Sequence, residues 1–527
     1  MLSLPVIFSP AVLRLHCFCM AGLLLFMGWT ADEGRGEDKN TDPLPLTVRD
    51  CLSMALQNNL NISIERLNPM ISEAGVTTAR GAFVPSFVIT PGYGETRTPL
   101  DYGDGNFSGG LPYSQTRTMT LAPSFQGKTS SGATYNLGFA ATDTQTISGA
   151  FRDYYSSNWG LTLTQPLLRN FGTDVNLTPL RIAQKQVMYS NEGFAYKVMD
   201  VVTQVREAYY QLCSALENRK VQFKSLEYSV RLLEDNRKKV SIGSLAALDI
   251  TKAEAEVAKN EESVVLANKS VAERTIDLRA LIARDMADIR HRPIQPMDRP
   301  LDREWPAMDV DLAIVKAMEN RPDYRQAMLN IDKLQLQLRY DKNQRYPQVD
   351  LQGTYGYNGI GTSFTRSMDI RDKEWSAGLA VTIPLPDLAA EGKYEATRLQ
   401  KEQAILQLKL VEQNIVVGVD KAIKAVDYNY QRIKAARVSV QTARAVYEGE
   451  FAKMQIGTST SFEVLRLQRD LISSETSEIS AIADYNISLA VLEKVMGLTL
   501  DVNNIELVRP GNDLRLSSGP AAVEQAH

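Results

Sequence analysis

Hydrophobic positions follow two different rhythms along this chain of 527 residues. Val198, Val202, Val205, Tyr209, Leu212 and Leu216 recur at alternating steps of four and three. Phe223, Leu226, Val230, Leu233 and Val240 carry the stripe on to a glycine. A second stripe runs through Val416, Val419, Ile423, Val426, Tyr430, Ile433, Val440, Tyr447, Phe451 and Met454, and it too ends at a glycine. A sustained period near 3.5 residues predicts long helices packed as left-handed coiled coils. Both stripes lie in proline-free stretches, residues 180–292 and 387–509, rich in the helix formers Ala, Leu, Gln, Glu, Lys and Arg. Residues 179–242 as one helix would reach about 96 Å. Helical patterning resumes from Asp249 to about Ala283 and from Glu463 to about Met496, so two long antiparallel hairpins are predicted, with tips at 243–249 and 457–463.

The other rhythm has period two. Val349, Leu351, Tyr355 and Tyr357 alternate with Asp350, Gln352, Thr354 and Gly356. Trp375, Ala377, Leu379, Val381 and Ile383 alternate with Ser376, Gly378, Ala380 and Thr382. Trp159, Leu161 and Leu163 do the same earlier in the chain. Such alternation fits a half-buried soluble sheet, the commoner cause, or a lipid-facing barrel strand with a polar lumen. Pro85 and Pro347 precede the ascending strands, and Pro166 and Pro384 follow the descending ones. Proline cannot continue a helix and drives the preceding residue to extended geometry, so these four mark helix–strand hinges.

The chain also resembles itself. Ala55-Leu56-Gln57-Asn58 matches Ala317-Met318-Glu319-Asn320, and Phe83-Val84-Pro85 matches Arg345-Tyr346-Pro347. Gly160–Leu167 matches Gly378–Leu385, and Ile242-Gly243 with Asp249-Ile250 matches Ile456-Gly457 with Glu463-Val464. A tandem duplication of this length implies two structural copies side by side. We expect a first repeat at 46–297, a second at 310–500, and a polar, partly disordered tail at 501–527. The copies differ in that Pro85–Pro166 is more than twice as long as Pro347–Pro384. The excess carries a further alternating pair, Met119/Leu121 and Tyr135/Leu137/Phe139, which either joins the sheet or caps it.

The N-terminus reads as a secretory leader over residues 1–31: Arg14 precedes the apolar run Cys17–Trp29, too short to span a bilayer. Export, no membrane helix and the long hairpins favour the barrel reading of the strands. Net charge is −4 with no basic stripe, so nucleic acid is not an expected partner. Cys51 and Cys213 could pair in an oxidising compartment or remain two buried thiols. The Asp101, Asp104, Asn106 cluster lacks EF-hand spacing and reads as polar loop. His16, His291 and His527 are the only histidines, and no phosphate loop, nucleophile elbow or metal-ligand spacing occurs. Neither catalysis nor a cofactor is expected.

Together these features resemble the TolC-like outer membrane efflux family over about residues 46–500. The most specific residues are Gln165-Pro166-Leu167-Leu168 and the paired tips, Val240–Gly243 through Asp249-Ile250 and Met454–Gly457 through Glu463-Val464. The resemblance implies a mixed α and β membrane protein: a homotrimer whose protomers each give four strands to one outer membrane barrel, continued by a coiled-coil helical barrel across the periplasm. Short helices near 47–60 and 310–321, with the chain after 497, would form a belt. The implied function is an exit duct for efflux or type I secretion, contacting outer membrane lipid and a periplasmic adaptor, and an inner membrane transporter indirectly. The resemblance places Asp249 and Glu463 at the acidic gate and Ile242, Gly243, Ser244, Ile456, Gly457 and Thr458 at the adaptor-facing tips. Ser459, Arg466 and Met454 depart from the family pattern of arginine, aspartate and tyrosine, so an Arg466 pairing with Asp249 or Glu463 is the expected substitute. The competing class, a soluble periplasmic coiled-coil adaptor or scaffold, would not need two copies with aromatic-ended strands.

Overall fold

The computed structural model describes residues 43–99, 113–148, 150–243, 246–285, 292–300, 302, 306, 308–507 and 515–516. Residues 1–31, expected to form a leader, together with Ser244, the Asp101–Asn106 cluster and all three histidines, lie outside the described residues.

The chain opens with β1 (Leu44–Leu46), α1 (Val48–Asn58) and α2 (Leu60–Gly81). Thr47 and Asp50 cap α1 reciprocally, and the Asn59 side chain caps α2. Strands β2 (Ser86–Pro99), β3 (Tyr113–Lys128), β4 (Thr134–Ser148) and β5 (Ala150–Pro166) follow. After the short α3 (Thr173–Asn176) come the long α4 (Thr178–Ser241), the returning α5 (Ala247–Ile282) and β6 (Ile294–Pro296). The second half runs α6 (Val310–Asn320), α7 (Pro322–Gln344), β7 (Gln348–Gly361), α8 (Phe364–Ser367), β8 (Asp372–Thr382), α9 (Leu388–Gln455) and α10 (Ser461–Val495). The tail adds α11 (Thr499–Val502), β9 (Ile505–Glu506) and β10 (Arg515–Leu516), the last two paired antiparallel.

With 64 and 68 residues, α4 and α9 extend for about 100 Å. Above the middle of the molecule the helices lie side by side in the order α2, α4, α7, α9; below it the order is α5, α4, α10, α9. Among the described residues no helix is long and apolar enough to cross a membrane.

The belt forms where the short elements meet the long ones. β1 pairs in parallel with β6, and α1 buries Cys51, Leu52, Ala55 and Leu56 against Val198–Leu212 of α4. α6 buries Ala313 and Ala317 against Ile415, Val419 and Tyr485. Cys51 and Cys213 share the first of these cores as free thiols, and burial pushes both up to about 12. Between the two cores Arg206 of α4 and Glu493 of α10 form a buried ion pair, with side chains only 11% and 10% exposed. Lys494 and Asp200 pair beside them at 2.6 Å.

The heptad stripe is buried only in part. Val198 to Leu212 are enclosed, whereas Phe223 and Val230 are exposed; Ser225, Ser229, Leu232, Leu233 and Asn236 take the buried positions. The reason is that α4 is flanked here by both α5 and α10, so the enclosed face is not the stripe read from one partner. Small polar residues let three helices approach: Ser225 Oγ donates to Asn260 Oδ1 (3.2 Å), and Gln468 Nε2 donates to the Ser225 carbonyl (3.1 Å). In α9 the stripe holds better, with Val419, Val426, Ile433, Val440 and Met454 buried and Val416 exposed.

The strands form one antiparallel sheet of six, in the order β2-β3-β4-β5-β7-β8. This corrects the expectation of four strands per protomer. The additional pair, β3 and β4, has ladders on both sides: β3 pairs with β2, and β4 with β5. It joins the sheet and does not cap it.

Candidate functional site: the two-faced sheet and the hairpin tips

Alternation along paired strands sorts the sheet side chains into two faces. One unbroken row runs Phe87, Phe125, Leu137, Leu161, Tyr355, Trp375, each directly opposite the next. All six are exposed. The adjacent row, one residue along every strand and therefore on the other face, runs Ser86, Gln126, Asn136, Thr162, Thr354, Ser376. On that polar face Asn158 donates to Asn358 (3.1 Å), and Asn358 donates to Glu374 (2.6 Å), tying three strands together. The apolar band in β7 runs from Val349 to Tyr357, about nine residues, the length that crosses a bilayer when tilted. Towards the outer loops it gives way to charge, where Arg117 pairs with Glu95 across strands (3.2 Å).

The four prolines lie at the sheet's lower rim. Pro85 and Pro347 immediately precede β2 and β7, Pro166 ends β5, and Pro384 stands two residues past β8. What fastens this joint is a ring of amides that the pattern did not single out. Asn170, at φ 63°, receives a bond at Oδ1 from Gln344 (2.7 Å), while its N–H donates to Asn343 (2.8 Å). Asn176 donates to the carbonyls of Asn170 and Gly172 (2.8 and 2.9 Å). Asp387 caps α9 and meets Arg169 at 3.6 Å. The only sequence signal was a local group of amides, Asn170 and Asn176 after β5 with Asn343 and Gln344 before β7, where side-chain amides can complete interrupted backbone bonding.

At the opposite end the hairpin tips turn on glycine. α4 ends with Ile242 as its C-cap residue, followed by Gly243 at φ 75°; α9 ends with Ile456, followed by Gly457 at φ 82°. Left-handed backbone at these positions suits glycine and closes the last carbonyls: Gly457 N–H donates to Met454 (3.2 Å), and Thr458 N–H to Lys453 (3.0 Å). Ile242 and Ile456 are each 76% exposed, with Leu248 and Phe462 exposed beside them. Behind them Met454, Leu232, Val464 and Leu465 form a small closed core with Tyr447 and Phe451.

Asp249 and Glu463, the two acids expected at the gate, sit in first turns of returning helices, where the helix dipole favours negative charge. Arg466 grips Glu463 with Nε at 3.1 and 3.2 Å and with Nη2, and reaches Asp470 at 3.8 Å. The guanidinium holds the Glu463 carboxyl below its usual range and is itself raised. Asp249 pairs instead with Lys252 (3.3 Å). Of the two pairings expected for Arg466, the structure therefore forms the one with Glu463, within a single helix. A residue overlooked in the sequence links the two tips. Asn236, 1% exposed, accepts from Ser461 Oγ (2.9 Å) and donates to the Asp249 carbonyl (3.4 Å). A cleft of about 860 Å³ bordered by Tyr210, Arg279 and Asp298 lies at the belt, away from the tips.

Residues 51–284 and 313–498 match the family described as outer membrane efflux protein. The chain belongs to that family. Its members are transport channels and not enzymes, which places this protein in the Gram-negative outer membrane with its helices on the periplasmic side. The outer membrane protein TolC of Vibrio cholerae is 20% identical over 340 residues, 63% of this chain and 75% of that protein. Among solved structures, a membrane protein from Pseudomonas aeruginosa shares the fold at TM-score 0.65 and 18% identity, covering 85% of this chain and 93% of its own. The CmeC outer membrane channel of Campylobacter jejuni matches at TM-score 0.66 and 14% identity, covering 86% of each chain. The mixed helix–sheet architecture is thus that of TolC-like channels, and an efflux channel is the function the family carries.

Proposed function

We propose that three copies of this chain assemble into one continuous exit duct, a β-barrel in the outer membrane joined to a helical tunnel across the periplasm. The observation that carries this reading is the two-faced sheet standing on helices of about 100 Å. An exposed apolar face with a polar reverse suits lipid outside and water inside. Two sequence repeats, 46–297 and 310–500, then give each protomer two hairpins and the trimer a pseudo-sixfold tunnel, with residues 1–31 as its export leader. The duct is passive: it hydrolyses nothing and binds no nucleotide. Energy comes from an inner membrane transporter through a periplasmic adaptor, which docks on the exposed tip residues Ile242, Leu248, Ile456 and Phe462. Outer membrane lipid is the other partner.

Threefold repetition sets Asp249 and the Glu463–Arg466 pair around the periplasmic opening. Arg466 offsets Glu463 and Lys252 offsets Asp249 within each protomer, so cation preference at the opening rests on the combined field of these paired charges. Membrane fractionation tests the duct: extraction only by detergent, as a trimer, is expected, and a soluble species would establish the scaffold reading. Planar-bilayer recording tests the gate. Replacing Asp249, Glu463 and Arg466 together by alanine should raise conductance and weaken cation preference; unchanged values would remove these residues from the gate.

A further inference from the structure

We infer that the membrane barrel of this channel has eighteen strands, and that its pore is wide enough for cargo far bulkier than a small drug. The inference rests on the trimeric duct proposed above and extends it to the size of what passes. Strands β3 and β4 are full-length, 16 and 15 residues beside 14 in β2 and 17 in β5. They lie between β2 and β5 with ladders on both sides, so they cannot peel away without breaking two ladders. They also continue both faces. Phe125 and Leu137 fill the apolar row, and Gln126 and Asn136 fill the polar one.

The turn between them is anchored below. Gly172 N–H donates to the Ser131 carbonyl (3.1 Å), and Gly132, at φ 98°, sits so close to Asn170 and Asn176 that a Cβ would lie 2.4 Å from the Asn170 carbonyl oxygen. The hairpin thus rests on the amide ring of the helix–strand joint. It is built into the wall and its support alike.

Only the outer edges of β2 and β8 lack a mate in this sheet. Lipid tolerates no open edge, so β8 of each protomer must pair with β2 of the next copy. Three six-stranded sheets then close eighteen strands. At a strand spacing of about 4.8 Å and a tilt of about 40°, that barrel has a backbone diameter of about 36 Å, against about 24 Å for twelve strands. Subtracting about 5 Å of side chain from each wall leaves bores of about 26 and 14 Å. The helical layer fits the larger figure. Four helices abreast per protomer make twelve, and at about 9–10 Å between axes they enclose a ring of about 36 Å. The polar face is dominated by Thr, Ser, Asn and Gln, so the bore is hydrated with little net charge. The cargo class is a bulky hydrated molecule or polymer up to about 25 Å across, and selection by size falls to the tips.

Electron cryo-microscopy of the full-length protein in lipid nanodiscs tests this directly. A trimer with eighteen strands is the expected result. A trimer with twelve, and residues 113–148 outside the wall, would overturn the inference and leave the duct standing; absence of a trimer would sink the duct itself. Exclusion of neutral polyethylene glycols added from the outer side gives a second measure. Polymers of about 20 Å diameter should reduce conductance, and a cut-off near 14 Å would refute the wide bore. Deleting residues 113–148 should bring the cut-off down to that value. If the shortened chain does not fold, the strand count of the intact protein decides.

Discussion

Arg206→Met tests whether the two halves of the molecule are bound by charge at their belt. Arg206 and Glu493 are nearly enclosed and join α4 to α10. Burial raises the Glu493 carboxyl despite the opposing pull of Arg206 and a hydrogen bond from Asn503. Removing the arginine leaves a carboxylate in the core without its counter-ion, which costs about 3–5 kcal/mol. In a protein this long each kcal/mol moves the melting point by only about 1–2 °C, so a fall of roughly 5 °C is expected in a thermal scan of the detergent-solubilised protein. The pH dependence has a definite sign. A carboxyl raised in the folded state binds more protons there than when unfolded, so its contribution is fully present below 4.5 and is lost as pH rises through the folded value. The variant should therefore approach the parent at about pH 4 and diverge from it at about pH 7. Adding Glu493→Leu should restore most of the loss, because an apolar pair of similar volume replaces a buried ion pair at little cost. A single variant melting within about 1 °C of the parent, or a double variant no better than the single, would refute the argument.

Two further outcomes follow from the sheet and the tips. Leu161→Arg puts charge on the apolar face and should lower folded, heat-resistant trimer in outer membranes by about 2–4 kcal/mol of insertion energy, whereas Thr162→Arg on the polar face should insert normally and shift ion selectivity towards anions. Equal insertion of the two, read by gel mobility, would contradict the assignment of faces. Asn236→Ala leaves the Ser461 hydroxyl without its acceptor at the seam between hairpins and removes the second, longer bond to the Asp249 carbonyl, a loss of about 1–3 kcal/mol. Proteolysis at the tips should speed up while the melting point of the whole protein changes little, and unchanged cleavage would show that Asn236 does not hold the tips together.

Periodicity made the helices and strands legible because each is long enough for its rhythm to dominate its composition. The ends of α4 and α9 were marked by glycines whose φ values require them, and the hinges by prolines. The buried seam of α4 was misread at Phe223 and Val230, because a stripe reveals one packing partner and this helix has two. Alternation in Tyr135, Leu137 and Phe139 announced strands but not their neighbours; ladder position depends on long-range pairing, which a local pattern does not contain. The amides at 170, 176, 343 and 344, and Asn236 at the tips, carried no rhythm at all. Their roles arise from backbone groups brought near by distant segments. Arg466 was singled out only as a departure from a family pattern, and its partner Glu463 lies one helical turn away.

The unmated edges of β2 and β8 also bear on how the protein is made. These are the first and last strands of the sheet in sequence, separated by β3, β4, β5, β7 and a whole helical hairpin. A lone copy would display two open ladders and an uncovered greasy surface, the features that invite promiscuous aggregation. In the trimeric duct proposed above, maturation and association are one event, and the yield of working pores depends on the supply of newly exported chains more steeply than in proportion. A bacterium that halves expression of this protein should lose more than half of its channels.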